Sequence, residues 1–421
     1  MKAQKYVEWS RLDNASKIFP ATWTLKDPKV FRIACELTEA VKPELLQKAL
    51  DQTIDDIPVY KSVLRRGMFW YYMEKSDMRP EAHMESNTVC APIYVGLRYN
   101  LLFRVSFFKN RINLEVFHAL SDGAGALRFL QTLVHYYIIL IGKGKFENTA
   151  AATDNASVSG LMDDSFGKHF IGQCGKRNRA DVKDAKAYQI RGVRFDDNRM
   201  QLIEGSMSAK KVLDEAHKND VTLTAYLASL FVYAIGKEMR ARGRKYPVVL
   251  TVPVNLRQYY ESVTVRNFFG FINISYRFDS DTEDLTTVIQ GISERFKKAL
   301  TVEQLDYQSN KYMSIERNLF ARIVPLPIKD LVARLVVSKS VRHTTSIISN
   351  IGKITMPLEF APYIRQFSVC TSAPRPQMTL CSYGDRLVVS ISSPYRETDI
   401  QRNFFRVLSD YGIDIEISSS F

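Results

Sequence analysis

Apolar positions along the chain alternate between two periods. Val30 to Leu37 is a β-rich run, and behind it Leu45, Leu46, Ala49, Leu50, Thr53, Ile54 and Ile57 recur at helical spacing, which predicts one helix over Lys42 to Leu64. Met68 to Glu74 reads as an aromatic strand. Leu101 to Phe108 and Arg111 to Phe117 flank Lys109-Asn110, a two-residue hairpin turn. The period then changes: after Asp122-Gly123 the residues Leu127, Leu130, Val134, Tyr137, Ile138 and Ile141 follow a 3.6-residue repeat that stops at Gly142.

Periodicity is lost from residue 143 to about 195, where a small-residue tract is followed by a basic one. Beyond it Ser208 opens a helix, and a second begins near Thr222 and carries Ala225, Leu227, Ala228, Phe231 and Ile235. Short β-branched strands are expected at Val248 to Val254, Phe271 to Phe278, Thr345 to Ser349, Phe367 to Thr371, Met378 to Tyr383 and Leu387 to Ser392. Helices from Leu285 to Leu300, Ile328 to Val337 and Thr398 to Asp410 lie among them. Each half thus combines mixed strands with covering helices, which predicts two α/β sandwich domains, residues 1–160 and 196–421, joined by a crossing segment over 161–195.

Composition narrows the class. At 421 residues, with 46% hydrophobic and 24% charged, the chain is long enough for a large core and is neither collagenous, coiled-coil nor disordered. Its formal net charge of +13 favours anionic partners. Five cysteines, at 35, 90, 174, 370 and 381, include no C-x-x-C pair and suit a reducing compartment. The N-terminus has no signal-peptide core, so a cytoplasmic location is expected. Leu127 to Ile141 is interrupted by Arg128, Gln131 and His135 and is shorter than a span needs, so it reads as a core helix and not as an integral membrane segment.

Phosphate loops, dinucleotide glycine fingerprints, H-E-x-x-H and G-x-S-x-G elbows are missing, which leaves the common nucleotide, zinc-protease and serine-hydrolase readings without support. Six dispersed histidines give no ligand pair, so no metal is expected. The basic clusters Lys176 to Arg179, Arg240 to Lys245 and Lys339 with Arg342 carry no nucleic-acid motif, and none is expected to bind nucleic acid.

What remains is the strand-to-helix passage from Asn113 to Gly125. Ile112, Leu114 and Val116 share one strand face and His118 falls on it, so the imidazole points inward. An inward histidine is more often a hydrogen-bonded core residue than a catalyst. Held neutral near pH 7, it can also take up a proton and return it.

The surrounding residues weigh towards chemistry. Phe117-His-Ala-Leu-Ser-Asp-Gly123 resembles the HHxxxDG signature of the acyltransferase superfamily that includes chloramphenicol acetyltransferase, peptide-synthetase condensation domains and alcohol acetyltransferases; Phe117 stands at the first histidine. Val252-Pro-Val-Asn-Leu-Arg257 resembles the superfamily's PVNLR element, and Asn267-Phe-Phe-Gly-Phe-Ile-Asn273 its N-x-x-G segment. Ser349-Asn350-Ile-Gly352 and Trp9-Ser-Arg-Leu-Asp-Asn-Ala resemble segments of stand-alone alcohol acetyltransferase-like members, while the DFGWG segment of many relatives is not recognisable.

The resemblance implies two chloramphenicol acetyltransferase-like subdomains forming a V around a tunnel, with His118 as general base in a ternary complex. Asp122 and Gly123 would be architectural, with Arg257 pairing Asp122, and Ser349 or Asn350 would be candidates to hold the oxyanion. Acyl-CoA, with an acetyl donor expected, would be cosubstrate and not a resident cofactor; Lys339 and Arg342 are candidates for its phosphates. The acceptor would be a small alcohol or amine. Two other readings stay open: condensation with a thioester on a carrier protein acting in trans, and a non-catalytic interaction module.

Overall fold

A computed structural model describes residues 9–96, 98–142, 158–161, 163–170, 186–279, 284–318 and 323–420. Cys174 and the cluster Lys176 to Arg179 lie outside them, as does much of the expected crossing segment.

In the first half, Val30–Leu37, Arg111–Phe117, Phe103–Phe108 and Ala82–Met84 lie side by side in one sheet. Phe108 faces Arg111 across the two-residue turn, and Lys109 takes the positive φ of 51° that such a turn requires. Helices Pro43–Asp56 and Gly123–Ile141 bury their apolar stripes in the lobe's core. The first of these ends eight residues before the expected boundary. Pro58 lacks an N–H and disfavours helical backbone at Ile57, so the chain makes a short turn over Pro58–Tyr60 and then forms the strand Ser62–Arg66. Helix Gly123–Ile141 is long and apolar enough to cross a membrane by length and composition, but Phe129, Leu130, Leu133, Val134 and Ile138 are fully buried in the lobe.

The second half is a seven-stranded sheet in the order Phe269–Tyr276, Val248–Asn255, Ser346–Ile354, Gln377–Tyr383, Arg386–Ser393, Gln201–Ser208, Glu416–Ser419. Only Ser346–Ile354 runs parallel to its neighbours. Helices Leu223–Lys237, Leu285–Ala299 and Asp399–Asp410 contribute to its core. The outer strands Gln201–Ser208 and Glu416–Ser419 and the helix Val302–Arg317 were not anticipated by hydropathy.

One strand departs from the division by sequence. Ile364–Thr371 belongs to the second half of the chain, yet it pairs antiparallel with Val30–Leu37 and forms an edge of the first sheet. Val30 and Ile33 are fully buried, and their strand would otherwise be left with an open edge.

Candidate active site

His118 follows directly on the strand Arg111–Phe117, and its backbone N–H donates to the carbonyl of Lys29 at 2.8 Å. Its ring stacks on Phe19 with centroids 4.3 Å apart, and Phe31 and Phe269 close around it at 5.0 and 5.7 Å. Phe269 belongs to the second lobe. The imidazole therefore sits at the seam of the two halves, half-buried among aromatic rings.

Asn267 fixes the ring. Its Oδ1 lies 3.2 Å from His118 Nδ1, while its Nδ2 donates to the His118 carbonyl at 2.9 Å and to Ser16 Oγ at 2.8 Å. With both amide hydrogens spent on acceptors, Oδ1 can only accept, so Nδ1 carries the proton and Nε2 keeps its lone pair. Ser16 in turn donates to Asp13 at 2.6 Å, and Arg266 lies 3.7 Å from Asp13. Burial pushes the Asp13 carboxyl up, against the pull of Arg266 and Ser16. Burial likewise lowers the His118 pKa below its ordinary value, outweighing the opposing charge of Asp122. The ring is neutral at pH 7 and can act as a base.

Asp122 caps the helix that begins at Gly123: Oδ1 accepts from the Gly125 N–H at 2.9 Å. Oδ2 accepts from Arg257 Nη1 and from the Phe268 N–H, each at 2.8 Å. Arg257 spends its other donors on the carbonyls of Thr264 and Arg266. This one carboxylate thus ties the first lobe's helix to the segment that carries Asn267. Close approach, and not positive φ, explains the two glycines. A Cβ on Gly123 would meet the flexible end of Ile351 at 2.7 Å, whereas one on Gly125 would stand 2.0 Å from the backbone oxygen of Val265.

The remaining candidates are less concentrated. Ser349 and Asn350 lie on an interior strand of the seven-stranded sheet. Asn350 donates to Thr224 Oγ1 and accepts from the Gly352 N–H, so both ends of its amide are engaged. Ser349 lies two residues before Ile351, the side chain that reaches Gly123. Lys339 and Arg342 are exposed at the end of helix Leu326–Val341, outside the His118 network. Among the described residues no cluster of three or more His, Cys, Asp or Glu side chains could hold a metal ion.

A cavity of about 510 Å³ is lined by Pro20, Tyr94, Asp330 and Arg334 among others, and His118 is not part of its lining. Pro20 follows Phe19, which stacks on the imidazole, and Tyr94 stacks on Phe117 at 4.9 Å.

Asn267, Ser16, Asp13 and Phe19 had no part in the site as read from sequence. Asn267 and Asp13 fall inside segments that carried the resemblance, and that was the only available signal of their importance.

No family model matches the chain, and no curated protein matches it by sequence. Solved structures do. Trichothecene 15-O-acetyltransferase from Fusarium sporotrichioides is similar with a TM-score of 0.63 and 10% identity, covering 96% of this chain and 95% of that one. The first condensation domain of the calcium-dependent antibiotic synthetase gives 0.63 and 13%, covering 98% and 100%. A mutant starter condensation domain of rhizomide synthetase, in complex with C8-CoA, gives 0.60 and 13%, covering 96% and 94%.

Proposed function

We propose that this chain, which has the condensation-domain fold of those structures, transfers an acyl group from a CoA thioester to an alcohol, with His118 as general base. One observation carries the reading: the Asn267 contact commits Nδ1 as a donor, so the basic nitrogen of a neutral imidazole is Nε2, at the seam of two lobes. Nε2 would remove the proton from the acceptor hydroxyl as its oxygen attacks the thioester carbonyl. When the tetrahedral intermediate collapses, the C–S bond breaks and the proton passes from Nε2 to the departing thiolate, giving ester and free CoA. No acyl-enzyme forms. Ser349 is the candidate donor to the oxyanion, Asn350 being engaged by Thr224.

The bound ligand of the rhizomide synthetase domain and the activity named for the trichothecene enzyme support CoA as donor carrier and a hydroxyl as acceptor. The condensation-domain likeness favours a second reading, in which the thioester is borne by a carrier protein supplied in trans. Thiol release from acetyl-CoA in the presence of a panel of alcohols separates them. Alcohol-dependent release supports the first; release only with a carrier-bound thioester supports the second; none with either donor rejects both.

A further inference from the structure

Helix Leu326–Val341 presents the wrong face to water. Only Leu326 and Asp330 of its described side chains are buried, while Ile328, Leu331, Val332, Leu335 and Val336, spaced i, i+3, i+4, i+7 and i+8, each expose 52% to 61% of their surface. That spacing is one continuous solvent-exposed stripe, about 12 Å long. The stripe is extended by a neighbouring loop. The Leu326 N–H donates to the Met68 carbonyl and Lys329 Nζ to that of Phe69, which brings exposed Met68 and Trp70 beside the helix N-terminus.

The charge around this face is of one sign. From Ile323 to Arg342 the chain carries Lys329, Arg334, Lys339 and Arg342 and a single acid, Asp330. That acid is turned inward, accepting from the Tyr71 hydroxyl at 2.8 Å with Arg66 beside it. An aliphatic stripe, a tryptophan at its end and the exposed cations Lys339 and Arg342 match an anionic bilayer surface, where acyl chains take the stripe and lipid phosphates take those cations, while Lys329 and Arg334 reach back to the carbonyls of Phe69 and Ala21. A second copy of the chain fits poorly, since each carries +13 and would bring the same cations together. A protein partner fits less well than lipid because the stripe offers no hydrogen-bonding side chain, and protein interfaces need them regularly.

We infer that helix Leu326–Val341, with the Met68 and Trp70 loop, is a peripheral docking face for anionic lipid bilayers. Leu331 of the stripe and Arg334 also line the cavity bounded by Pro20 and Tyr94, so docking would set that cavity against the lipid. The inference stands independently of acyl transfer, because its test reads binding alone.

The full chain is centrifuged with vesicles of phosphatidylcholine, or of phosphatidylcholine with about one part in three phosphatidylserine. The expected result is cosedimentation with the second kind only, weakened in about 0.5 M salt. The double variant Val332→Glu/Leu335→Glu should lower partitioning about tenfold or more, with wild-type circular dichroism and melting temperature; Lys339→Gln/Arg342→Gln should lower it with the stripe intact. Wild-type protein that stays in the supernatant with both vesicle types overturns the inference, as does a double variant that sediments like wild type. Loss of self-association or of carrier-protein binding in the double variant, with no vesicle binding by wild type, overturns it in favour of a protein partner.

Discussion

At the scale of single residues the proposal rests on how Asn267 holds His118. Asn267→Ala removes the acceptor that fixes the Nδ1 proton, and should lower kcat about 10- to 100-fold while the fold persists. Asn267→Asp tests the same contact in the other direction. A carboxylate at that position favours the imidazolium, so the acid limb of the pH profile, which for wild type lies below the ordinary histidine pKa, should move up. A structural role for Asn267 would change stability and leave that limb in place. The sign for stability follows from the same burial. Because the folded His118 pKa is depressed, the unfolded chain binds the proton more readily, and stability from this group is lost as pH falls through the window just below 6.5. His118 and Asp122 were visible in the sequence because Phe117 to Gly123 resembles a known signature. Sequence spacing could not place Asn267 against His118, since that contact joins positions 149 residues apart and depends on how two lobes meet.

Between elements, the strand-to-helix passage is where small changes should be costly. Gly125→Ala puts a Cβ into the Val265 carbonyl, a backbone atom that cannot yield as a side-chain tip would, and should destabilise by about 2–4 kcal/mol in urea unfolding. Gly123→Ala, which meets only the Ile351 methyl, should cost less. The ion pair between Asp122 and Arg257 is largely buried, with side chains 6% and 13% exposed. Arg257→Met leaves that carboxylate without its cation and should cost about 3–5 kcal/mol, whereas Asp122→Asn keeps the helix cap and should cost less. Thermal or chemical melts of the two variants give the order directly. Element existence was legible from periodicity in most of the chain, and the helix cap at Ser208 and the Lys109-Asn110 hairpin follow from local chemistry alone. The sheet to which Ile364–Thr371 belongs was not legible, because a buried β-branched run states that it needs neighbours but not which ones.

For the molecule as a whole, the first lobe has its own acid sensitivity away from the seam. Burial drives the Glu115 carboxyl up, but Arg32 and Arg104 outweigh it and hold the group below the usual carboxylate range. Glu115 and Arg32 side chains are 1% and 4% exposed and lie 2.7 Å apart. A depressed folded pKa contributes stability above the unfolded value, which is lost as pH falls through the folded one. Glu115→Gln should therefore destabilise at neutral pH by about 3–5 kcal/mol and flatten the acid side of a stability profile measured by urea unfolding between pH 3 and pH 7, taken as roughly the range over which carboxylates titrate. The central claim concerns the other charge, the proton that His118 moves. Its most direct test is the rate of alcohol-dependent thiol release from acyl-CoA by wild type and by His118→Ala, each checked for an intact fold. The account predicts a loss of about 10²- to 10⁴-fold in the variant with its melting behaviour retained. A folded His118→Ala protein that turns over at the wild-type rate would contradict it.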